Sequence, residues 1–246
     1  MQLQKREHQW ISDWGRMVNL FQGDPYVIGA DLRNEPAETP YPCGNQNNCK
    51  AEWKREWHKA CMHRRGTAGI DPRENWPCAA QHAGGAIVGL DHRLLIFVEG
   101  IGYGTEIPEE GLHHLLHLRN GKQSQLVYSA HTYSQDGTTF DKRWGYLVEK
   151  HKAPVWIGEF GDTVANHCSN AGSPSKWLNS AISYLAKVPA SWSWWPINGT
   201  DSDGGIHYES ERSYYGRESY GLLCPSWDTE ASEPIMEDLD SIMQER

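Results

Sequence analysis

Five short apolar segments alternate with helix-like segments along this chain, and this alternation constrains the fold more than any other feature. Each segment is rich in β-branched or aromatic residues between turn residues, a pattern that predicts a buried strand. The predicted strands cover residues 26–32, 94–98, 126–130, 154–158 and 190–194. The predicted helices cover residues 9–21, 79–90, 140–150 and 175–187. The alternation predicts an α/β fold in which crossover helices join parallel strands.

One cysteine-rich stretch, residues 37–78, interrupts this rhythm. It is polar and too long for an ordinary strand-to-helix connection, and it holds four of the six cysteines. With Cys168 and Cys224 the set is even, which favours disulfides and an oxidising compartment but leaves their pairing open. The spacing does not match a zinc site. We expect a disulfide-pinned loop in an extracellular protein whose signal peptide is not present in this chain.

Length and charge exclude several classes of protein. The chain has 246 residues, close to the length of about 250 at which α/β barrels form a single domain. Its net charge is -9 and it has no run of lysine or arginine, so nucleic acid is not an expected partner. No apolar stretch reaches the roughly 18 residues that span a bilayer, so no membrane association is expected.

Chemically useful side chains follow the predicted strands. The carboxyl ends of parallel barrel strands meet at one face, where active sites form. The chain also has twelve tryptophans, whose flat faces can stack on sugar rings. The candidate site residues at strand ends are Asn34, Glu35, His131, Tyr133, Glu159 and Trp192.

Two glutamates in one cleft are what glycoside cleavage requires, since one protonates the leaving oxygen and the other attacks the anomeric carbon. A single glutamate after a strand is more often a solvated loop charge. Glu35 and Glu159 on strands of one sheet, with His131 and Tyr133 between them, favour the catalytic interpretation.

The strand ends resemble those of a known enzyme family. The runs VIGADLRNEP, LLIFVEG, LVYSAHTYS, WGYLVEKHKAPVWIGEFG and WSWWPINGTDSDGG are similar, in order and spacing, to those of family 5 endoglucanases, which are retaining (β/α)₈ hydrolases. The similarity extends over residues 10–205. It implies that Glu35, after the fourth barrel strand, is the acid/base and that Glu159, after the seventh, is the nucleophile.

The same resemblance implies roles for the remaining candidates. Asn34 would hold the sugar 2-hydroxyl, Tyr133 would lie against the nucleophile, and His131 would line the subsite of cleavage. Trp192 would form the floor under the sugar ring. No metal or cofactor is expected, and Glu99 is interpreted as lining the cleft.

In this family the Asn-Glu-Pro motif follows three strand–helix units, whereas here it begins at residue 34. Residues 1–246 are therefore predicted to form one partial (β/α)₈ domain of about five units, strands four to eight, without the first three. The implied function is endo-acting hydrolysis of β-1,4-glucan by double displacement, performed by a monomer on a poly- or oligosaccharide. Two alternatives stay open: a catalytically dead fragment or glycan-binding remnant, and a β-mannanase or another β-glucanase. An esterase is excluded because no Gly-x-Ser-x-Gly motif is present.

Three lesser features complete the expectations. His113, His114 and His117 are interpreted as a solvated helix face, because no carboxylate or cysteine completes a metal site. Asn198 begins an N-glycosylation sequon. Trp194 is expected to be core, since neighbouring strand residues point to opposite faces.

Overall fold

A computed structural model describes residues 2–36, 76–107, 125–133, 139–162, 176–197, 207–209, 212–214, 220–223 and 233–244. The helices in these ranges are α1 (Gln2–Leu20), α2 (Trp76–Leu90), α3 (Tyr146–Glu149), α4 (Lys176–Leu185) and α5 (Glu233–Gln244), and a π-helical turn (Asp141–Gly145) leads into α3. The strands are β1 (Gly29–Asp31), β2 (Leu95–Glu99), β3 (Leu126–Thr132), β4 (Val155–Phe160), β5 (Ser191–Trp194), β6 (His207–Glu209) and β7 (Arg212–Tyr214).

The five predicted strands form one sheet of parallel strands in the order β1-β2-β3-β4-β5. Within it β1 pairs with β2 in the register Ala30↔Ile96, and β2 pairs with β3 in the register Val98↔Tyr128. All seven residues of β3 are buried, as expected of a parallel strand covered on both faces. The predicted α/β architecture is therefore confirmed, and within the described ranges β1 and β5 are the terminal strands of the sheet.

Several boundaries differ from the predictions. Strand β1 has three residues where seven were predicted, because only residues 29–31 pair with β2. Tyr26 and Ile28 precede the strand and are 91% and 59% exposed. Helix α1 begins at Gln2, since the polar residues before position 9 are good helix formers. Residues 76–78 of the predicted 37–78 loop form the first turn of α2, and residues 37–75 lie outside the described ranges.

The antiparallel β6–β7 hairpin and helix α5 had no counterpart in the prediction. Among the described helices, none has the length and apolar character required to cross a membrane. The histidines at 113, 114 and 117 and the sequon at Asn198 fall outside the described ranges.

The chain divides into two compact units, which we call unit 1 (Met1–His131 and Lys142–Trp156) and unit 2 (Thr132–Asp141 and Ile157–Arg246). In unit 1, α1 packs against α2, and the Trp10 and Trp76 ring centroids lie 6.2 Å apart. Most of the small residues of α2 are buried, and β2 places Ile96 and Val98 in the same unit's core with no exposed surface.

In unit 2, α4 packs against α5, and Leu178 and Ile235 are buried on these helices. Tyr184 of α4 donates a hydrogen bond to Asp141, and its ring meets Phe140 edge-on at 5.3 Å. These contacts tie α4 to the start of the π-helical turn. They position the helix that precedes β5.

Candidate active site

The carboxyl ends of the strands carry the candidate residues. Glu35 comes four residues after β1, Glu99 ends β2, and His131 is the penultimate residue of β3. Glu159 is the penultimate residue of β4, and Trp192 is the second of the four residues of β5. Since active sites of parallel barrels form at this edge, the backbone supports the predicted location. Glu35, Glu99 and His131 belong to unit 1, whereas Tyr133, Glu159 and Trp192 belong to unit 2.

Glu35 has an unusual backbone conformation. Its φ is +45°, in the left-handed region that residues other than glycine rarely occupy, and Pro36 follows it. The Glu35 N–H donates a hydrogen bond to Glu99 Oε2 at 2.8 Å. Its side chain is 30% exposed, and Oε1 lies 3.0 Å from His131 Nδ1. The carboxyl group is therefore held on one side by a histidine while part of it reaches solvent.

Glu99 does not line an open cleft, which corrects the expectation from sequence. It has no exposed surface, because residues around the end of β2 enclose it. Its Oε1 lies 3.5 Å from Nε2 of His131, which is itself 2% exposed. Its backbone carbonyl accepts a hydrogen bond from Trp76 Nε1 at 2.8 Å. The result is a buried carboxylate next to a buried imidazole, directly behind Glu35.

Gly104 lies against the side chains of Glu99 and His131. Its φ is +71°, and a Cβ built on it would lie 2.9 Å from Glu99 Oε2 and 3.1 Å from His131 Cγ. Its carbonyl oxygen accepts the His131 backbone N–H at 3.0 Å. Only glycine combines this backbone conformation with this close approach.

In unit 2, Tyr133 donates a hydrogen bond from its hydroxyl to Glu159 Oε2 at 2.7 Å. The expectation that this hydroxyl lies within reach of Glu159 is confirmed. The Tyr133 ring stacks on that of Tyr220, with centroids 6.3 Å apart and planes at 30°. Both Tyr133 and Glu159 are half-buried. The hydrogen bond orients the Glu159 carboxylate, and the stacking holds the tyrosine in place.

The aromatic residues of β5 surround Phe160. Trp192 and Trp194 meet the Phe160 ring edge-on at 5.6 and 5.2 Å. Trp194 is half-buried, not fully in the core as expected, because its Nε1 reaches out to donate a hydrogen bond to the Tyr220 carbonyl at 2.8 Å. Asn34 is exposed. The roles of Asn34 and Trp192 stay predictions.

Two contributors to the site were missed from the sequence. Tyr220 lies far along the chain from Tyr133 and outside any predicted strand, so no local pattern indicated it. Gly104 had a signal, since the Gly-Tyr-Gly run at 102–104 is typical of a tight turn, and both glycines have positive φ. Of the six cysteines only Cys78 is in the described ranges, so the disulfide framework stays a prediction.

Comparison with known proteins agrees with the geometry. Residues 2–201 match the family described as cellulase, glycosyl hydrolase family 5. An endoglucanase of Paenibacillus polymyxa is 27% identical, and the match covers 91% of this chain and 51% of the relative. The major extracellular endoglucanase of Xanthomonas campestris pv. campestris is 24% identical, with 91% and 45% covered.

Among solved structures, a complex of an endocellulase from Pyrococcus horikoshii with cellotetraose has a TM-score of 0.64 and 20% identity, and the match covers 97% of this chain and 63% of that one. At this identity the likeness shows the fold: the five parallel strands correspond to part of a (β/α)₈ barrel. The chain spans about half the length of the curated relatives it matches.

Proposed function

Because this chain belongs to the cellulase family of glycosyl hydrolases, family 5, we propose that it is an endo-acting β-glucan hydrolase that retains anomeric configuration. The observation that carries the proposal is the hydrogen bond from the Tyr133 hydroxyl to Glu159, on a sheet whose first strand leads to Glu35. Each carboxylate has a partner that orients it. Oriented carboxylates at strand ends are the apparatus that double displacement requires.

In the proposed first step, a Glu159 oxygen attacks the anomeric carbon as the glycosidic C–O bond breaks, and Glu35 gives its proton to the leaving oxygen. In the second, Glu35 takes a proton from water, which attacks the glycosyl-enzyme and releases Glu159. We expect the two carboxyl groups to be about 5 to 5.5 Å apart, the spacing of retaining enzymes. Asn34 would bind the sugar 2-hydroxyl, His131 would contact the sugar at the subsite of cleavage, and Trp192 would support the sugar ring.

We propose β-1,4-glucan as the substrate, as a polysaccharide or oligosaccharide. The support is that the named relatives are endoglucanases and that a neighbouring structure holds cellotetraose. A mannan or another β-glucan is the alternative within the family. We also propose that the protein is monomeric and extracellular. The six cysteines and the extracellular endoglucanase among its relatives support the extracellular location.

The test is hydrolysis of carboxymethyl cellulose, mannan and mixed-linkage β-glucan by the purified protein, measured as reducing ends. We expect cellulose to be cleaved fastest and Glu159→Gln to abolish the activity. Nuclear magnetic resonance of the first product should show the β-anomer before mutarotation. An initial α-anomer would contradict retention, and preference for mannan would replace the proposed substrate.

A second candidate is a glycan-binding protein without catalytic activity. It is favoured by the five parallel strands that the structure describes, which correspond to part of a (β/α)₈ barrel. Calorimetry with cellotetraose distinguishes the two. Binding without hydrolysis by the unmodified protein would support this candidate and contradict the proposed enzyme.

A further inference from the structure

The proposed reaction gives no role to Glu99, a buried ionisable side chain in contact with the residues of the site. Glu99 has no exposed surface, and a buried carboxylate is costly unless other groups compensate it. It lies next to His131 and Glu35 in unit 1 and at the carboxyl end of β2. A group retained at such cost in this position calls for a specific explanation.

Its two oxygens contact different parts of the same assembly. Oε2 accepts the Glu35 backbone N–H at 2.8 Å, which holds that residue in its left-handed conformation. Oε1 lies 3.5 Å from His131 Nε2, an electrostatic contact that is too long for a hydrogen bond. The opposite ring nitrogen, Nδ1, lies 3.0 Å from Glu35 Oε1. The imidazole is thus placed between two carboxyl groups, one buried and one partly open to solvent.

This arrangement selects a tautomer of His131. A neutral imidazole carries one proton, and the negative charge of Glu99 favours that proton on the nitrogen facing it, Nε2. Nδ1 is then a lone pair directed at Glu35. For the neutral imidazole, that lone pair lies 3.0 Å from a carboxyl oxygen and can accept the carboxyl proton, whereas an imidazolium would instead pair with an ionised Glu35.

We propose that Glu99 is a positioning residue that sets the tautomer of His131, so that the Nδ1 lone pair faces the carboxyl proton that Glu35 uses as a general acid. The inference rests on the proposed function of Glu35. Glu99 itself touches no substrate. It acts through the Glu35 main chain and the histidine ring, and Gly104 lies close against both side chains.

The substitution Glu99→Gln tests this sharply. The amide oxygen must take the Oε2 position, because the Glu35 N–H requires an acceptor there. The amide NH₂ then faces Nε2 of His131, which favours a lone pair on Nε2 and moves the proton to Nδ1. Nδ1–H would donate to Glu35 and stabilise its carboxylate. The acid form would be lost while the shape of the site is kept.

The first measurement is the ¹⁵N resonance of the His131 ring in the whole protein. We expect the protonated nitrogen to be Nε2 in the unmodified protein and Nδ1 in Glu99→Gln. The second is kinetic: kcat/KM on β-glucan should fall by roughly 100-fold, the lower range for loss of general acid catalysis. Glycosylation by an activated aryl cellobioside, whose leaving group needs no proton, should change less than about threefold.

Trp76→Phe is the matched control, since it removes the hydrogen bond to the Glu99 carbonyl oxygen and leaves the carboxylate in place. A purely structural effect would lower the rates on β-glucan and on the aryl cellobioside by the same factor, and this is the result expected for Trp76→Phe. An unchanged His131 tautomer in Glu99→Gln would overturn the inference even if the enzyme is active. An inactive unmodified protein that shows the expected tautomers would uphold the inference about His131 and refute the proposed function instead.

Discussion

Glu35 and Glu159 differ in the partners that hold their carboxyl groups. Glu35 contacts His131, an imidazole that can share a proton, whereas Glu159 accepts a hydrogen bond from Tyr133. A partner that can accept a proton suits an acid/base, and a donor hydroxyl suits a carboxylate that must stay ionised in order to attack. The local contacts therefore match the division of roles proposed from the resemblance.

The two roles separate in a kinetic experiment. With an activated aryl cellobioside we expect Glu35→Ala to keep the burst of released phenol, because that leaving group needs no proton. We expect Glu159→Ala to lose the burst, because no nucleophile remains. Glu237→Ala, at an exposed position on α5, serves as the control. Equal loss of the burst in both active-site variants would reverse the assignment.

Gly104 gives a second prediction at the residue scale. In Gly104→Ala the left-handed conformation costs about 1 to 2 kcal/mol, and the overlap with Glu99 and His131 adds about 1 to 3 kcal/mol. We expect the urea midpoint to fall and activity to fall with it. The control is Gly89→Ala in α2, where a Cβ meets nothing within 4 Å and helix propensity favours alanine by up to about 1 kcal/mol. A Gly104→Ala variant with an unchanged urea midpoint and unchanged activity would show that the turn can shift to accommodate the Cβ.

At the scale of elements, the turn between α2 and β2 positions the strand that carries Glu99. Asp91 accepts hydrogen bonds from Arg93 Nε at 3.0 Å and Arg93 Nη2 at 2.7 Å. The Arg93 guanidinium lowers the pKa of Asp91 from its ordinary 3.8 to about 2. The pair is a bidentate contact that fixes the turn before β2.

Because the pKa of Asp91 is lower in the folded protein than in the unfolded chain, its contribution to stability is present above about pH 4 and is lost as the pH falls through about 2. We expect Asp91→Asn to lower the urea midpoint at pH 7 and to have little effect near pH 2. Asp13→Asn, which removes an exposed pair with Arg16 in α1, should change little at either pH. A difference between Asp91→Asn and the unmodified protein that persists at pH 2 would contradict the role of this pair.

Element boundaries illustrate what local patterns can and cannot decide. The apolar runs predicted all five strands of the parallel sheet, because a buried parallel strand is apolar on both faces. The start of β1 was missed because strand pairing, not composition, determines it: pairing with β2 begins at Gly29, and Tyr26 lies outside it. The π-helical turn before α3 likewise had no local signal, since the sequence there fits an ordinary helix.

At the scale of the whole molecule, unit 1 has an apolar surface beside the terminal strand β1. A groove of about 190 Å³ lies between α1 and β1, lined by residues that include Trp14, Phe21 and Leu94. Ile28 and Leu20 are 59% and 72% exposed nearby. A terminal strand next to exposed apolar side chains is a site at which chains self-associate.

We expect the purified protein to be monomeric when dilute and to self-associate through this surface as its concentration rises, which light scattering across a concentration series would measure. The double variant Tyr26→Lys and Ile28→Lys should scatter less, because charges beside an edge strand oppose pairing with another chain. Its unfolding free energy should change by less than about 0.5 kcal/mol, since both side chains are exposed. Met243→Lys, on α5, is the control. Equal scattering by the unmodified protein, the double variant and Met243→Lys would show that this surface is not the site of self-association.

Much of the site could be predicted from the sequence because its chemistry lies at strand ends. Period and turn residues located the strands, and the residues after them, Glu35, His131 and Tyr133, follow directly. The resemblance to family 5 then supplied their roles. These inferences depend only on which residues follow one another along the chain, and the sequence contains that information directly.

Only the tertiary structure decided how Glu99 is used. The sequence placed it after β2, and it was interpreted as lining the cleft, but it is buried and bonded to the main chain of a residue 64 positions earlier. The contact between Tyr133 and Tyr220 was equally invisible. Burial and long-range contacts depend on how elements pack, and packing is a property of the assembled chain that no local pattern of residues encodes.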